Sequence, residues 1–179
     1  MLDADIRRSL LQRLAAHPLI IEEMGVCGQV RCDVVALSEE MVGYEIKSDA
    51  DTLRRLPRQV EWYSRVLDRA HVVTTERHLE GVRGVVPEWW GVMVASGPAG
   101  DVRLQPLREA RANPSLDTRS LVDLLWRPEA LAALEARGLA RGYRSKTFSA
   151  MADRLTERVP PAELRSLVHR ALTSRRGWR

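Results

Sequence analysis

The sequence predicts an α/β domain followed by an all-helical extension. Between residues 1 and 112, short β-branched runs alternate with amphipathic stretches in the order helix, three strands, helix, strand, helix, two strands. That alternation is the pattern of helices packed on a central mixed sheet. After Arg111-Ala-Asn-Pro-Ser115 every patterned segment is helical. The charge changes sign at the same place. Residues 1–112 carry 15 Arg+Lys against 17 Asp+Glu, a balance of −2, whereas residues 113–179 carry 13 against 7, a balance of +6. The expected division is therefore a core over 1–112 and a basic helical extension over 113–179.

Asp3 to His17 places Ile6, Leu10, Leu11 and Leu14 at helical spacing behind Asp3 as a cap, and Pro18 stops the run. Leu19–Met24, Val30–Leu37 and Val42–Ser48 read as strands. The short turn Ser38-Glu-Glu-Met41 makes the second and third an antiparallel hairpin. Asp51 to Arg69 reads as helix, with residues 49–56 a lead-in and Pro57 in the first turn, where its missing N–H costs nothing. His71–Thr75 and Trp90–Ala95 are compact strands around a short helix at Glu76–Val82. Gly97-Pro-Ala-Gly100 turns the chain into a last strand, Val102–Leu107. Helices are expected at Thr118–Trp126, Pro128–Arg137, Ser145–Arg158 and Pro161–Thr173.

Composition excludes several classes. With 45% hydrophobic and 29% charged residues the chain reads as globular. Its longest apolar runs are a few residues, against the roughly 20 of a spanning helix, so no membrane role is expected. The opening Met1-Leu-Asp-Ala-Asp-Ile-Arg-Arg has no apolar signal core, and Cys27 and Cys32 make neither a disulfide framework nor a metal knuckle. A reducing cytoplasm is the expected compartment. No Walker or GxGxxG loop is present, and Ser48 and Ser64 lack a His–Asp pattern.

The informative stretch is Glu22 to Tyr63. Asp33 lies on the second strand, and Glu45-Ile46-Lys47 follows twelve positions later on the third. Alternate strand residues share a face, so Glu45 and Lys47 point the same way, and a hairpin brings Asp33 beside Glu45. Two adjacent carboxylates make a hard-oxygen site for Mg²⁺ or Mn²⁺. A lysine two residues on can orient water or steady charge on an attacked phosphate. With 26 Arg and only two Lys in the chain, Lys47 stands out. The plainer reading is a surface ion pair with Asp33 an edge charge. The flanks Val34-Val-Ala-Leu37 and Val42-Gly-Tyr44 are apolar, however, and buried charges need a partner.

Asp33, Glu45-x-Lys47 and an upstream acid, on this element order, resemble the PD-(D/E)XK nuclease superfamily. Gln59-Val-Glu-Trp-Tyr63 is similar to the QxxxY element of its RecB-type branch, and Tyr44-Glu-Ile-Lys-Ser-Asp-Ala-Asp-Thr-Leu-Arg-Arg-Leu-Pro-Arg-Gln59 resembles a poorly characterised bacterial subgroup. The match covers roughly residues 15–75, and residue 32 is Cys where the motif name has Pro. The resemblance implies a restriction-endonuclease-like core and Mg²⁺- or Mn²⁺-dependent hydrolysis of phosphodiester bonds in DNA. Asp33, Glu45, the upstream acid Glu23 and the Ile46 carbonyl would hold one or two ions, and Lys47 would orient the attacking water. Gln59 and Tyr63 would position substrate or the lysine. Glu22 and Glu23 compete for the upstream acid; Glu23 is favoured because it leaves Ile20, Glu22 and Met24 on the other face. Homodimers or larger nuclease complexes are the settings such relatives imply.

Arg58, with Arg54 and Arg55, can neutralise phosphates or form a solvated helix face. Asp49 and Asp51 follow the motif closely enough to extend a metal site or to cap a helix, the cap being the expectation for Asp51. His71 and His78 are expected to be structural or exposed, and Trp62, Trp89, Trp90 and Trp126 mostly to pack in the core. Gly138-Leu-Ala-Arg-Gly-Tyr-Arg-Ser-Lys-Thr147, leading into an amphipathic helix, resembles a SAP-type nucleic-acid-binding element. There Arg144 and Lys146, beside helix-terminal amides, would contact phosphates. The alternative is a helical cap with a basic surface. Two rival readings of the whole chain are a nucleic-acid-binding module that does not cut and a protein-docking adaptor.

Overall fold

Six strands hydrogen-bond in sequence order to form one mixed sheet. The structure is a computed structural model and describes residues 1–178. Met1–Ser115 and Leu116–Arg179 are separate compact units. The first contains α1 (Asp3–Leu14), β1 (Leu19–Val26), β2 (Val30–Leu37), β3 (Met41–Lys47), α2 (Leu56–Val66), β4 (Arg69–Thr74), α3 (Leu79–Arg83), β5 (Gly91–Ser96) and β6 (Arg103–Arg108). Strands β1, β2 and β3 run antiparallel in succession. The β3–β4 and β4–β5 pairs are parallel, bridged by α2 and α3, and β6 closes the sheet antiparallel. Pro106, which has no N–H for a ladder, lies on this edge strand.

Ile6, Leu10 and Leu14 of α1 pack with Val34, Ala36, Tyr44 and Ile46 on one face of the sheet. Alternation sends Glu45 and Lys47 to the opposite face, where α2 lies. Gly43 permits that close approach: a Cβ there would lie 2.3 Å from Leu67 Cδ1. Pro57 occupies the first turn of α2 after a one-turn 3-10 segment, Leu53–Arg55. Neither expected acidic cap is one. Asp3 accepts from Arg7 Nε at 3.1 Å, and α1 has no side-chain cap. Asp51 accepts from the Ser48 N–H and hydroxyl at 2.8 and 2.6 Å instead of capping the segment that follows.

The boundary segment is tied to the first unit through Asn113, whose amide donates to the Ser64 and Leu67 carbonyls at 2.8 and 2.7 Å. The second unit holds α4 (Thr118–Val122), α5 (Arg127–Glu135), α6 (Phe148–Arg158) and α7 (Pro161–Ser174) around Leu121, Leu134, Met151, Leu155, Leu164 and Val168. Trp126 does not join that core. It is 43% exposed and lies 4.3 Å from the Arg175 guanidinium, which also bonds Glu129. Arg179 lies outside the described residues. No helix among the described residues is long and apolar enough to cross a membrane.

Candidate active site

Glu45 is 1% exposed and Lys47 2%. Apolar strands force both into the protein, and each is satisfied there. Lys47 Nζ donates to Glu45 Oε1 at 2.7 Å and to Gln59 Oε1 at 3.1 Å, and Gln59 Nε2 donates to the same Glu45 oxygen at 2.5 Å. Gln59 and Tyr63, one turn apart on α2, both reach β3. The Tyr63 hydroxyl lies 2.6 Å from Glu45 Oε2 and 2.7 Å from the Arg31 carbonyl. One hydroxyl proton serves one of these acceptors. The pair is satisfied together when Glu45 Oε2 carries a proton and donates it to Tyr63, which then donates to Arg31. The electrostatics agree: burial first, then the nearby Asp33 charge, push the Glu45 carboxyl up to about 7 against the opposing pull of Lys47. Burial likewise drives the Tyr63 phenol up, leaving it neutral. Trp90, fully buried, stacks on Tyr63 with ring centroids 5.9 Å apart.

Asp33 is placed differently. The β2–β3 ladder ends at Val34–Tyr44, and the β1–β2 register skips the Glu23–Asp33 step. Where the strands part, the Ile46 N–H donates to Asp33 Oδ2 at 2.7 Å. Burial raises the Asp33 carboxyl, while the Ile46 N–H and Arg7 draw it down. Arg7 of α1 donates to the Asp33 carbonyl at 2.9 Å and to Oδ1 at 3.3 Å, and its guanidinium is 3.1 Å from Glu23 and 3.8 Å from Glu22.

Of the two candidates, Glu23 is on the cavity wall and Glu22 is not, but the strand-phase argument for Glu23 does not hold. Its φ of 56° is left-handed, so the alternation shifts there: Ile21 is buried on one side of it, and Met24 and Val26 on the other. Ile20, Glu22 and Met24 therefore do not form one continuous face. Glu23 is held by Arg7 and by Arg31 Nε at 2.5 Å.

Glu23, Arg31, Asp33, Glu45, Lys47 and Gln59 line one cavity of about 720 Å³ with Asp3, Ile46, Asp51, Arg55 and Arg58, while Arg7 and Tyr63 hold those side chains from behind its wall. Arg54 and Asp49 are not on its wall; Asp49 instead accepts from the Thr75 hydroxyl at 2.6 Å. Asp3 and Arg7 are the residues missed in the sequence. Their i, i+4 spacing was the signal, and only the packing of α1 against β2 aims it at Asp33.

The donor set of Asp33, Glu45 and a main-chain carbonyl is hard oxygen, which fits Mg²⁺ or Mn²⁺. Among the described residues no three His, Cys, Asp or Glu side chains gather as a metal group. Arginine and lysine supply the countercharge instead. His71 is far from this chemistry: it stacks on Tyr44 at 4.9 Å, and burial lowers its imidazole to about 4. In the second unit, Arg144 pairs with Glu135 at 3.0 Å and Lys146 is exposed. Arg127 donates to both of their carbonyls, and Thr147 caps α6 by accepting the Ala150 N–H.

A solved structure described as a protein of unknown function, SPO1766 from Silicibacter pomeroyi, is similar over 82% of this chain and 100% of its own, with a TM-score of 0.49 and 21% identity. No curated protein matches the chain. The family model of bacteriophage P4 protein cII matches residues 3–177. Because that match runs through both units, the chain belongs to the bacteriophage P4 protein cII family.

Proposed function

We propose that the protein is a metal-dependent nuclease that hydrolyses phosphodiester bonds in DNA, on a restriction-endonuclease-like core. The observation that carries this reading is a buried Glu45–Lys47 pair, clamped by Gln59 and Tyr63, on the wall of the cavity that also holds Asp33. Burying such a pair for stability alone gains little, since an apolar pair of similar volume often serves as well. Mg²⁺ or Mn²⁺ held by Asp33, Glu45 and the Ile46 carbonyl would polarise a phosphodiester oxygen and acidify water. Lys47 orients the attacking water or steadies charge on the phosphate. Gln59 and Tyr63 fix the Glu45 carboxyl, and Trp90 backs Tyr63. In the second unit, Arg144 and Lys146 would add sequence-independent affinity that weakens as salt rises.

The test is cleavage of labelled DNA with Mg²⁺ or Mn²⁺ by the wild type, Asp33→Asn and Lys47→Ala, each checked for folding by circular dichroism. The expected outcome is cutting by the wild type, loss in both folded variants, and DNA binding retained. A wild type that binds and never cuts, with either ion, favours a second reading: a nucleic-acid-binding module on the same fold. Arg7 favours that second reading, because its guanidinium already balances Asp33 and Glu23.

A further inference from the structure

Every acid on the cavity wall is engaged. Asp3 takes Arg7, Glu23 takes Arg7 and Arg31, Asp33 takes Arg7 and the Ile46 N–H, Glu45 takes Lys47 and Gln59, and Asp51 takes Ser48. Two cations on the same wall have no carboxylate partner within ion-pair distance among the described residues. They are Arg55 and Arg58, exposed at the start of α2. Arg58 donates across to Gln29 Oε1 at 2.8 Å, which leaves the Gln29 amide nitrogen free to donate. The β1–β2 turn that carries Gln29 is tight. Cys27 and Gly28 both have left-handed φ, and the Gln29 N–H bonds the Val26 carbonyl at 3.0 Å. Gly28 suits that backbone, and nothing lies within 4 Å of where its Cβ would be, so the space above the turn is open.

We infer that Arg55, Arg58 and Gln29 form a phosphate seat beside the carboxylates, taking the phosphodiester backbone of a single nucleic-acid strand next to the position over Lys47. Planar guanidinium forks match phosphate oxygens in a way that ammonium groups do not. A cavity of about 720 Å³ is of the size that encloses a drug-sized ligand, which suits one or two unpaired nucleotides. The inference rests on the reading of this cavity as a nucleic-acid site and names the strand and the side from which it is held.

The experiment is fluorescence anisotropy of a labelled single-stranded DNA 20-mer in EDTA, from low to moderate salt. It compares the wild type, Arg55→Ala/Arg58→Ala, Arg55→Lys/Arg58→Lys, and the control Arg65→Ala/Arg83→Ala, whose arginines pair with Glu61 and Glu80 away from the cavity. The alanine pair is expected to bind about tenfold more weakly, with a salt slope shallower by about 1.4 for two lost phosphate contacts. The lysine pair should recover most of the slope, and the control should stay within about twofold of wild type. An alanine pair within twofold of wild type, a control that loses as much, or a wild type that binds no strand overturns the seat. Cleavage is scored separately with Mn²⁺. A protein that binds through these arginines and never cuts overturns the nuclease reading alone. One that cuts while the alanine pair binds unchanged overturns the seat alone.

Discussion

Glu45 and Asp33 line the same cavity but are stabilised in opposite ways. Glu45 sits between the sheet and α2, 1% exposed, and Lys47, Gln59 and Tyr63 supply its hydrogen-bond partners. Asp33 sits at the gap between strands, half-buried, and takes one backbone N–H and one arginine from α1. The first arrangement is fixed by burial, because removing Lys47 leaves the Glu45 carboxyl almost fully buried without its cation. The second is an ionic bridge shared among several acids, since Arg7 also bonds Asp3, the Asp33 carbonyl and Glu23.

The largest effect that sharpens this contrast is the loss of Lys47. Lys47→Met is expected to cost about 3–5 kcal/mol in urea unfolding near pH 8, because Glu45 is left buried without the cation that offsets its charge. Adding Glu45→Gln should return most of that. If the double variant is no more stable than the single, the two side chains do not act as a pair.

The next effect is on pH. The Glu45 carboxyl, pushed up to about 7 from an ordinary 4.5, keeps its proton in the folded chain where the unfolded chain has released it. Its contribution is therefore fully present below about pH 4.5 and is lost as pH rises through 7, on the order of 3 kcal/mol. Asp33, also raised, acts in the same direction. Urea midpoints at pH 5.5 and 8 should fall in the wild type relative to Glu45→Gln. Parallel behaviour of the two proteins would place the proton elsewhere.

The smallest effect in stability lies on the other side of the comparison. Arg7→Met is expected to cost about 1–2 kcal/mol, since Glu23 is well exposed but the Asp33 carbonyl and carboxylate lose a charged donor. Calorimetric titration with Mn²⁺ should then show affinity raised several-fold, because the competing cation has gone. Unchanged or weaker Mn²⁺ binding would mean that Arg7 holds Asp33 in place and does not compete for it.

Much of the buried side was readable in the chain. Glu45 and Lys47 interrupt a strand whose neighbours are apolar, and a helix repeat puts Gln59 and Tyr63 on one face. Period sets each pair, and the packing of α2 on the sheet brings the two pairs together. The half-exposed side was not readable in that way. Glu23 reaches the cavity through a left-handed residue that breaks the strand period, and no pattern of polar and apolar residues announces such a break. Asp3 resembles a cap in sequence because an acid before a helical run commonly is one. Its use as a partner of Arg7 depends on where α1 lies.

From sequence alone came the order of strands and helices, the β2–β3 hairpin, the helical character after Ser115 and the shared strand face of Glu45 and Lys47. Each follows from local period and turn chemistry, which act over a few residues. Tertiary structure decided that the β2–β3 ladder stops at Val34, that the freed Ile46 N–H turns to Asp33, and that Arg7 fills the space between Asp33 and Glu23. It also left Arg55 and Arg58 on the cavity wall with no ion-pair partner among the described residues. Those outcomes join residues from distant parts of the chain, and only the packing of α1 and α2 on opposite faces of one sheet brings them within reach of one another.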